Sequence, residues 1–582
     1  MKSKRALALL MVASMTGSML SGCGGNTGTN SDPTTQKSTT TGTQQGSTTA
    51  QGEDSIFNEP GTLPIVKEPV TLTIFAPANG EYSYIDNTQT KELEELTGIR
   101  LDWQIAAASE NVRDKISVMF ASKNMTDIIL TGVSASSRYD KASESMFGSQ
   151  GLVLPLNEYL DTISVGYKAA FEELDGLRDY ITTPDGNIYS LPNVDGSLHV
   201  QYNMKLWLNT TWLDNLGLSM PTTTDEFYNV LKAFKEQDAN GNGNPNDEIP
   251  FSTVTSGAGT QIDGFLMNPF QQTSENTKLY IDNGVVTYAP VQDNYKEGLK
   301  YLNKLWAEGL INPESFTQDR VNQVNVNEAG EDCVIGAFLA QRPGYACDLT
   351  TIPNSKKWEQ YQSVAPLKGP DGQVTASWNP YVMYQTGMTY ISSTCSNPEA
   401  AFRFLDYLAT EEGTMRSAVG IEGVHWTAAE AGETGMDGSP AVYKRTGADN
   451  TNQTWGQLAC LIRKPDMIVG ETTNPDPYAE DVAPLTGRQI VMYRASLDHQ
   501  KVQQPLESVM PDLYMSDADT AEMSLLSTTI QDTQKEMMVQ FITGEKDIDS
   551  EWESYKASLE SIGLSRYLEM LQNAYNASSF AK

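Results

Sequence analysis

The most diagnostic stretch of this sequence covers residues 200–250 and reads VQYNMKLWLNTTWLDNLGLSMPTTTDEFYNVLKAFKEQDANGNGNPNDEIP. A capping box of Thr223 and Glu226, placed just after Pro221, marks the start of a helix. Apolar residues then recur at i, i+3, i+4 and i+7, which is the spacing of one helical face. The stretch therefore predicts an amphipathic helix over 223–236 that leads into a loop rich in asparagine and glycine. The apolar residues are Phe227, Val230, Leu231 and Phe234.

The loop after this helix carries oxygen-bearing side chains in the order of a calcium-binding loop. Asp238, Asn240 and Asn242 occupy places one, three and five of an EF-hand, and a glycine follows at place six. The twelfth place is Ile249 and not glutamate, and the acidic residues, Asp247 and Glu248, come earlier. We predict a structural calcium ion here, and a metal-free turn is the alternative. The candidate ligands are Asp238, Asn240, Asn242, Asn244, Asp247 and Glu248.

Outside this stretch, short β-branched runs alternate with helical patterns. Strands are predicted at Val70–Phe75, Asp127–Leu130 and Cys333–Phe338. A helix is predicted between Pro398 and Gly413, with the glycine at its end. Strands that alternate with helices indicate an α/β fold with parallel sheets. The chain after about Ser524 is helix-rich, and its regularly spaced apolar residues are assigned to core packing: Trp552, Tyr555, Leu559, Leu564 and Leu568.

The first 23 residues have the layout of an export signal. Lys2, Lys4 and Arg5 precede an apolar run that is shorter than the roughly 20 residues of a membrane-spanning helix. The run ends in Leu20-Ser-Gly-Cys23, which resembles the lipobox of bacterial lipoproteins. That resemblance implies cleavage before Cys23 and attachment of lipid, palmitate included, to this cysteine. The alternative is an ordinary signal peptide with an incidental cysteine.

A polar segment separates Cys23 from the folded body. Residues 24–52 contain no aromatic residue and a single apolar side chain, that of Ala50. Such a composition cannot bury enough apolar surface to offset the entropy lost on folding, so we predict a flexible tether. More than 500 residues follow position 65, enough for several domains.

The composition is strongly acidic. There are 74 Asp and Glu against 40 Lys and Arg, a net charge of −34, and removal of residues 1–22 would leave −37. Because phosphate groups are bound by clustered Lys and Arg, this balance argues against nucleic acid or anionic lipid headgroups as partners. Contact with a membrane is therefore expected through the lipid anchor only.

Catalytic motifs are missing from the sequence. It contains no G-x-S-x-G, H-E-x-x-H or P-loop pattern, and its three histidines lie far apart. Two positioned carboxylates would suffice for a glycosidase, so an enzyme stays open as an alternative. Four cysteines follow Cys23 without a C-x-x-C motif, which argues against a zinc or redox site. Cys333 and Cys347 are the one pair considered for a disulfide, with buried free thiols as the alternative.

Four segments occur in a specific order: Tyr202-Asn203, Trp212–Leu218, Pro221–Phe227 and Asp238–Pro250. Supporting segments extend along nearly the whole mature chain: Asp127-Ile-Ile, Asn397–Gly413, Gly420–Gly423 and Phe541–Glu545. Together they resemble the extracellular solute-binding lipoproteins of carbohydrate ABC importers, especially the branch with oligosaccharide- and alginate-binding members. Similar proteins in that family bind calcium through a shortened loop, which here has one extra residue.

The resemblance implies an α/β fold of the type II periplasmic-binding-protein kind, in which two lobes joined by crossing strands close over a ligand. The implied domains are a signal peptide at 1–22, a lipid-anchored linker at 23–65, an N-terminal lobe at 66–195 and 388–440, and a C-terminal lobe at 196–387 and 441–582. These lobe boundaries are approximate.

The resemblance also implies a sugar-binding cleft between the lobes. Trp or Tyr rings stack on the apolar face of a sugar, contributing about 1 kcal/mol each, while polar side chains bind its hydroxyl groups. The candidates are aromatic and polar residues in turn-like contexts where the cleft loops of the family fall. They are Asn79, Glu81, Tyr82, Ser134, Arg138, Tyr202, Arg342, Trp378, Asn379, Tyr381, His425 and Trp426.

From the residues and the resemblance we predict a monomeric, lipid-anchored binding protein on the extracellular face of the cell membrane. It captures a carbohydrate, an oligosaccharide, by closure of the lobes and delivers it to an ABC permease without catalysing a reaction. Two alternatives stay open. A surface glycoside-degrading lipoprotein would need a carboxylate pair about 5–10 Å apart in its cleft, and a ligand-sensing lipoprotein would signal to a membrane receptor.

Overall fold

The computed structural model describes residues 55–581 except for 79–82, 108, 133–136, 349–354, 449–452, 457, 459, 475 and 480–483. The predicted signal peptide, Cys23 and most of the predicted tether therefore lie outside the described residues. The strands are β1 Val70–Pro77, β2 Ile99–Ala106, β3 Ile128–Leu130, β4 Leu191–Asp195, β5 Leu206–Asn209, β6 Ile249–Ser252, β7 Leu279–Asp282, β8 Val285–Tyr288, β9 Ile335–Leu339, β10 Tyr361–Val364, β11 Tyr384–Ile391, β12 Trp426–Ala428, β13 Tyr443–Arg445 and β14 Ile462–Arg463.

The helices are of mixed length, from a single turn to seven turns. They are α1 Thr88–Thr97, α2 Val112–Ser122, α3 Lys141–Ser149, α4 Asn157–Thr162, α5 Gly166–Glu173, α6 Leu177–Ile181, α7 Leu198–Gln201, α8 Thr210–Leu216, α9 Thr224–Glu236, α10 Asp293–Ala307, α11 Arg320–Glu328, α12 Pro398–Leu408, α13 Glu411–Ala418, α14 Pro465–Val469, α15 Pro484–Gln500, α16 Asp517–Thr543, α17 Ile548–Ile562 and α18 Leu564–Ala577. None of these described helices combines the length and apolarity needed to cross a membrane.

The first lobe is built on a six-stranded sheet with the order β14-β4-β11-β3-β1-β2. β1 pairs in parallel with β2 and β3, and β14 pairs in parallel with β4. β11 runs antiparallel between β3 and β4. Its apolar core contains Ile74, Ile128, Leu191 and Phe402, all fully buried.

The second lobe is built on a four-stranded sheet with the order β10-β5-β9-β6. β6 and β9 are parallel, whereas β5 is antiparallel to both β9 and β10. Helices α9, α10 and α16–α18 supply a separate core around Phe227, Leu302 and Phe541. The predicted two-lobed α/β architecture is confirmed, but the sheets are mixed and not purely parallel as predicted. Strand β14 belongs to the first lobe's sheet and α16–α18 to the second lobe's core, while the predicted lobe boundaries themselves stay a prediction.

The amphipathic helix of the diagnostic stretch is confirmed. Thr223 Oγ1 accepts a hydrogen bond from Glu226 N (3.1 Å), so Thr223 is the N-cap of α9. The Glu226 carboxylate reaches back to Thr222 N (2.8 Å) rather than to Thr223 N, one residue earlier than in a standard capping box. All four predicted apolar positions of the helix are buried: Phe227, Val230, Leu231 and Phe234.

The helix predicted between Pro398 and Gly413 is wrong at its end. α12 ends at Leu408, and Gly413 lies inside the next helix, α13. Thr410 Oγ1 accepts from Gly413 N (3.1 Å), and two glutamates fill the first turn after it. A strong N-cap therefore starts a new helix at a place where the glycine alone indicates an end.

Apolar contacts predicted at the carboxyl end of the chain are confirmed. Trp552, Tyr555, Leu559 and Leu564 are buried in the core of the second lobe, and Leu568 packs against it. The cysteines Cys333, Cys347, Cys395 and Cys460 are free thiols, so the considered disulfide is not formed and the alternative of free thiols is confirmed.

Candidate functional site

Strand directions place the carboxyl ends of both sheets where the chain crosses between the lobes. In the first sheet, β1, β2, β3, β4 and β14 all run one way and β11 runs the other way. The chain leaves β4 at its carboxyl end and enters β5 at the edge where β6 and β9 end. It returns from β10 to β11 between the same two edges. Ligands of open α/β sheets bind at the carboxyl ends of strands, so these two edges form the candidate site.

The two crossings and the segment after α15 are bonded to one another. Trp378 Nε1 donates to Gln201 Oε1 (3.1 Å), and Asn379 N donates to the Gln201 carbonyl (3.0 Å). Gln504 Nε2 donates to the carbonyl of Trp378 (2.9 Å). Three segments of chain meet at this point, which is therefore the position of a hinge between the lobes. Trp378 itself is half-buried.

Tyr202, a predicted ligand-binding residue, is buried at the first crossing. It is 1% exposed, its hydroxyl donates to Gln503 Oε1, and its ring lies edge-on to His499. Lys205 is fully buried beside it and donates to the Tyr202 carbonyl. Burial lowers the pKa of Lys205 to about 7, since the charged ammonium loses its hydration. In this conformation the Tyr202 side chain links the first crossing to the segment after α15.

Arg342, three residues beyond β9, belongs to a group of three arginines at the edge of the second lobe. Arg320 and Arg342 each place their guanidinium 5.8 Å from the centre of the Tyr345 ring. Burial, followed by the charges of Arg342 and Arg320, lowers the pKa of Arg488 to about 10. We call Arg320, Arg342 and Arg488 the arginine cluster. Within the described part of the chain, no carboxylate forms an ion pair with any of the three.

Two site residues, Ser134 and Arg138, were predicted beyond β3. The structure describes Arg138, which lies at the edge of the first lobe. Its carbonyl accepts a hydrogen bond from Arg113, while its own Nε is buried without a hydrogen-bond partner. Burial lowers the pKa of this guanidinium, and the neighbouring Tyr180 and Asp512 oppose that shift. Arg138 therefore faces the segment that follows α15 and precedes α16.

A buried network ties that segment to the first lobe. Tyr514 donates its hydroxyl hydrogen to Glu144 Oε2 (3.1 Å), and Lys141 Nζ donates to the Tyr180 carbonyl (2.6 Å). Lys141 Nζ also lies 3.5 Å from the centre of the Tyr180 ring and 4.4 Å from that of Tyr514. Burial raises the pKa of Glu144 to about 7 and lowers that of Lys141 to about 8.

Further predicted site residues take part in local structure. Tyr381 stacks on Tyr180 with ring centres 5.7 Å apart, and Asn379 Oδ1 accepts from Tyr381 N (3.0 Å). His425 is 3% exposed, and its Nδ1 accepts from the amide of Ile421 (2.9 Å). Trp426, half-buried in β12, donates to the Gly420 carbonyl (2.9 Å). Asn79, Glu81, Tyr82 and Ser134 lie outside the described residues.

A cavity of about 310 Å³ lies beside the carboxyl end of β6. Its wall includes Glu275, whose carboxylate accepts from Asn203 Nδ2 (2.9 Å) and Gly259 N (2.5 Å). Asn203 belongs to the first crossing, so the cavity borders the candidate site. Apolar surface makes up most of its wall, and the ion pair of Asp263 and Lys278 (2.8 Å) forms part of it.

The predicted calcium loop is described throughout. Asp238 Oδ2 accepts from Gly243 N (2.8 Å), and Asn242 Nδ2 donates to Asp247 Oδ2 (2.8 Å). Asp238 Oδ1 and Glu248 Oε2 are buried without a hydrogen-bond partner. Burial, together with the charge of Asp247, raises the pKa of Glu248. Two carboxylate oxygens of the loop therefore fit an oxygen-ligated cation.

The side chains of the loop do not yet form a complete ligand set. No group of three or more His, Cys, Asp or Glu side chains in the described residues is arranged to hold a metal ion. Asn240 and Asn242 turn their amide nitrogens toward Asp247, whereas calcium is ligated by oxygen.

Arg320 and Arg488 are candidate site residues that sequence reasoning missed. Arg320 is the first residue of α11, and Arg488 lies in the second turn of α15. Positive charge near a helix N-terminus opposes the helix dipole, so both residues carry a signal that sets them apart from ordinary surface arginines. Only the fold brings them to Arg342.

Comparisons with known proteins agree with this architecture. The profile of the bacterial extracellular solute-binding protein family matches residues 77–415. The fructooligosaccharide ABC transporter substrate-binding protein FusA of Streptococcus pneumoniae is 27% identical over 504 residues, which cover 84% of this chain and 86% of FusA.

Solved structures show the same fold. An EF-hand mutant of S. pneumoniae FusA in complex with fructo-nystose has a TM-score of 0.67 at 22% identity, covering 87% of this chain and 99% of FusA. An HMO-binding, ABC-transporter-associated solute-binding protein from Bifidobacterium longum infantis has a TM-score of 0.71 at 21% identity, covering 88% and 99%. At these identities the likeness establishes the fold alone, and the predicted two-lobed binding-protein fold is confirmed.

Proposed function

This chain belongs to the family of bacterial extracellular solute-binding proteins, and from that premise we propose that it captures an oligosaccharide between its lobes and delivers it to an ABC permease. The observation that carries the proposal is the meeting of both crossings with the carboxyl ends of both sheets. A ligand held there would contact both lobes and favour their closure. The names of FusA and of the Bifidobacterium protein support carbohydrate as the ligand class.

The hinge gives this capture a mechanical basis. Gln201, Trp378 and Gln504 come from three segments, and each hydrogen bond between them links two of those segments. A sugar stacked on the half-buried Trp378 would lie beside the hinge and could contact both lobes, so its binding would favour the closed arrangement. Membership in a family of binding proteins supports capture without catalysis.

We further propose that Cys23 carries a lipid anchor and that a polar tether holds the folded body, as a monomer, at the extracellular face of the membrane. The order of basic, apolar and Leu-Ser-Gly-Cys segments supports the anchor. The extracellular family supports the location. The net charge of −34 is consistent with attachment through lipid and not through a basic protein surface.

A structural calcium ion in the loop 238–248 is part of the proposal. The unpartnered oxygens of Asp238 and Glu248 support it, and so does the EF-hand named for the FusA variant. Asp238 and Glu248 would ligate the ion, and rotation of the Asn240 and Asn242 amides would add two further oxygens. The ion would stiffen the connection between α9 and β6, away from the crossings.

A thermal-shift screen against neutral and acidic mono- and oligosaccharides tests the proposed function. A bound ligand raises the melting temperature by mass action, so at least one oligosaccharide should give a concentration-dependent increase. Calorimetric titration then gives its affinity. If no carbohydrate in the screen raises the melting temperature and a peptide or metal complex does, the proposed ligand class is wrong.

Substitution of Trp378 tests the position of the site. Trp378→Ala should weaken binding by about 1–3 kcal/mol, the scale of a central aromatic anchor, while the protein stays folded. Trp306→Ala is the matched control, because Trp306 is also half-buried but packs on Phe316 (ring centres 5.4 Å apart) in the second lobe. A folded Trp378→Ala variant with unchanged affinity would remove this residue from the site.

A further inference from the structure

We infer that the captured oligosaccharide carries an acidic substituent, a carboxylate or a sulfate ester, and that the arginine cluster of Arg320, Arg342 and Arg488 binds it. The inference rests on the proposed function, since it names the chemistry of the sugar. It concerns residues from three different elements: the turn after β9, the start of α11 and the second turn of α15.

The first step is the lack of an anionic partner among the residues that the structure describes. Three guanidinium groups close enough to influence one another repel, and the described residues supply no ion pair to any of them. Two other half-buried arginines are paired, Arg463 with Asp195 at 2.6 Å and Arg416 with Glu92 at 2.6 Å, whereas Arg138 of the first lobe has a buried Nε without a hydrogen-bond partner. In a protein with 74 acidic residues, three arginines in one place that no described carboxylate compensates favour a negative charge supplied by a ligand.

The second step is the geometry of the cluster. Arg320 Nε donates to the Gly344 carbonyl (2.7 Å), and its terminal nitrogens can donate to a ligand. Nε of Arg342 and Nε of Arg488 are buried without a hydrogen-bond partner. Planar guanidinium groups donate pairs of parallel hydrogen bonds, and carboxylates and sulfates offer the matching pairs of oxygens.

The third step is the support under the cluster. The ring of Tyr345 lies under both Arg320 and Arg342, and its hydroxyl accepts from Ala258 N (3.1 Å). Gly257 has no side chain at this contact, and a Cβ there would come within 2.3 Å of the Tyr345 ring. The loops after β6 and β9 therefore hold one ring in place, and that ring fixes two of the three arginines at the edge where a ligand enters.

The hydroxyl groups of a neutral sugar would accept hydrogen bonds from these arginines but would leave their repulsion in place. An acidic substituent accepts the hydrogen bonds and also neutralises the positive charge that causes the repulsion. The charge of the cluster, together with its paired hydrogen-bond donors, thus favours acidic over neutral oligosaccharides.

Titration calorimetry with matched ligands tests the inference. The probes are trigalacturonate, its methyl ester and a sulfated galactan oligosaccharide, together with the neutral oligosaccharides of the screen. Wild type should bind trigalacturonate or the sulfated chain at least about ten-fold more tightly than the uncharged ligands, because hydrogen bonds between charged groups are roughly twice as strong. Tighter binding of the first identifies a carboxylate, and tighter binding of the second identifies a sulfate.

Variants of the cluster connect that preference to the arginines. Arg342→Gln and Arg488→Gln should each weaken binding of the preferred acidic ligand by about ten-fold or more and weaken binding of the methyl ester much less. Arg494→Gln is the matched control, since Arg494 lies on the same helix as Arg488 but is exposed. Equal affinities in wild type and both cluster variants would overturn the inference.

Melting of the free protein separates a binding role from a structural one. Removing one of three repelling charges should leave the melting temperature of Arg488→Gln unchanged or higher than that of wild type, whereas a structural arginine would lower it. Binding of neutral but not acidic oligosaccharides would refute the inference and keep the proposed function. Binding of no carbohydrate at all would refute both.

Discussion

In the second lobe, Asp263 and Lys278 neutralise each other, whereas no described carboxylate pairs with the arginine cluster at the edge of the same lobe. Lys278 is 5% exposed and Asp263 is 2% exposed, with Nζ and Oδ1 2.8 Å apart. Tyr295 donates to the second oxygen of Asp263 (2.6 Å). Here each buried charge has an opposite charge or a donor within reach, as burial in a low-dielectric interior requires.

The two groups differ in what completes them. The charged pair is complete when the chain has folded, so it contributes to the fold. The arginine cluster is complete only with a negative group that the described chain does not provide, so it is arranged for a ligand. Charges without partners at the edge of a sheet therefore carry functional information that paired buried charges do not.

The largest effect is expected from breaking the buried pair. Lys278→Met leaves the carboxylate of Asp263 buried without its cation and should lower the free energy of unfolding by about 3–5 kcal/mol in urea denaturation. Asp263→Asn/Lys278→Met removes both charges and should recover part of that loss. A double variant as unstable as the two single losses combined would show that the pair is not coupled and would break the comparison.

The same pair predicts how stability responds to acid. Burial alone would raise the pKa of Asp263, but the charge and hydrogen bond of Lys278 outweigh it and hold the pKa below its ordinary value. A lowered carboxylate pKa stabilises the folded state above the unfolded pKa, and this contribution is lost as the pH falls through the folded pKa. The free energy of unfolding, measured by urea denaturation, should therefore fall less with decreasing pH in Asp263→Asn than in wild type.

Glu144 and Lys141 in the first lobe lie between the neutralised ion pair and the arginine cluster, since they are close to each other but burial dominates the pKa of both. The folded pKa of Glu144 is about 7, above its ordinary 4.5, so the folded state binds a proton more tightly than the unfolded chain. The free energy of unfolding should fall by about 3 kcal/mol as the pH rises from 4.5 through 7.

Glu144→Gln should abolish that fall, because an amide can keep the hydrogen bond to Tyr514 and does not titrate. Urea denaturation of the variant at several pH values between 4.5 and 8 measures the effect. The exposed Glu158→Gln is the control and should keep the slope of wild type. A slope that persists in Glu144→Gln would assign the pH dependence to other groups.

The smallest effect is expected at the calcium loop. Its unpartnered groups are carboxylate oxygens, so it is the negatively charged counterpart of the arginine cluster. At calcium a hundred-fold above the dissociation constant, the bound ion should stabilise the protein by about 2.7 kcal/mol. A chelator should therefore lower the melting temperature of wild type and leave that of Asp238→Ala unchanged. Equal responses of the two proteins to the chelator would contradict the proposed calcium site.

Local signals were sufficient for much of the second lobe. The N-cap at Thr223, the apolar face of α9 and the order of oxygen-bearing residues in the following loop all act over a few residues, so they are legible in the sequence. The end of α12 could not be predicted from such local signals, because Gly413 alone indicates a stop while Thr410 caps a new helix. Competing local signals of similar strength are resolved by the packing of the finished fold.

The sequence by itself determined the alternation of strands and helices and the family. Only the tertiary structure decided that Trp378 meets Gln201 and Gln504, and that Arg342 joins arginines from α11 and α15. The physical reason is range: helix caps and apolar periodicity depend on neighbours within four residues, whereas a charge becomes unpartnered only when distant segments have packed and left it without an opposite charge.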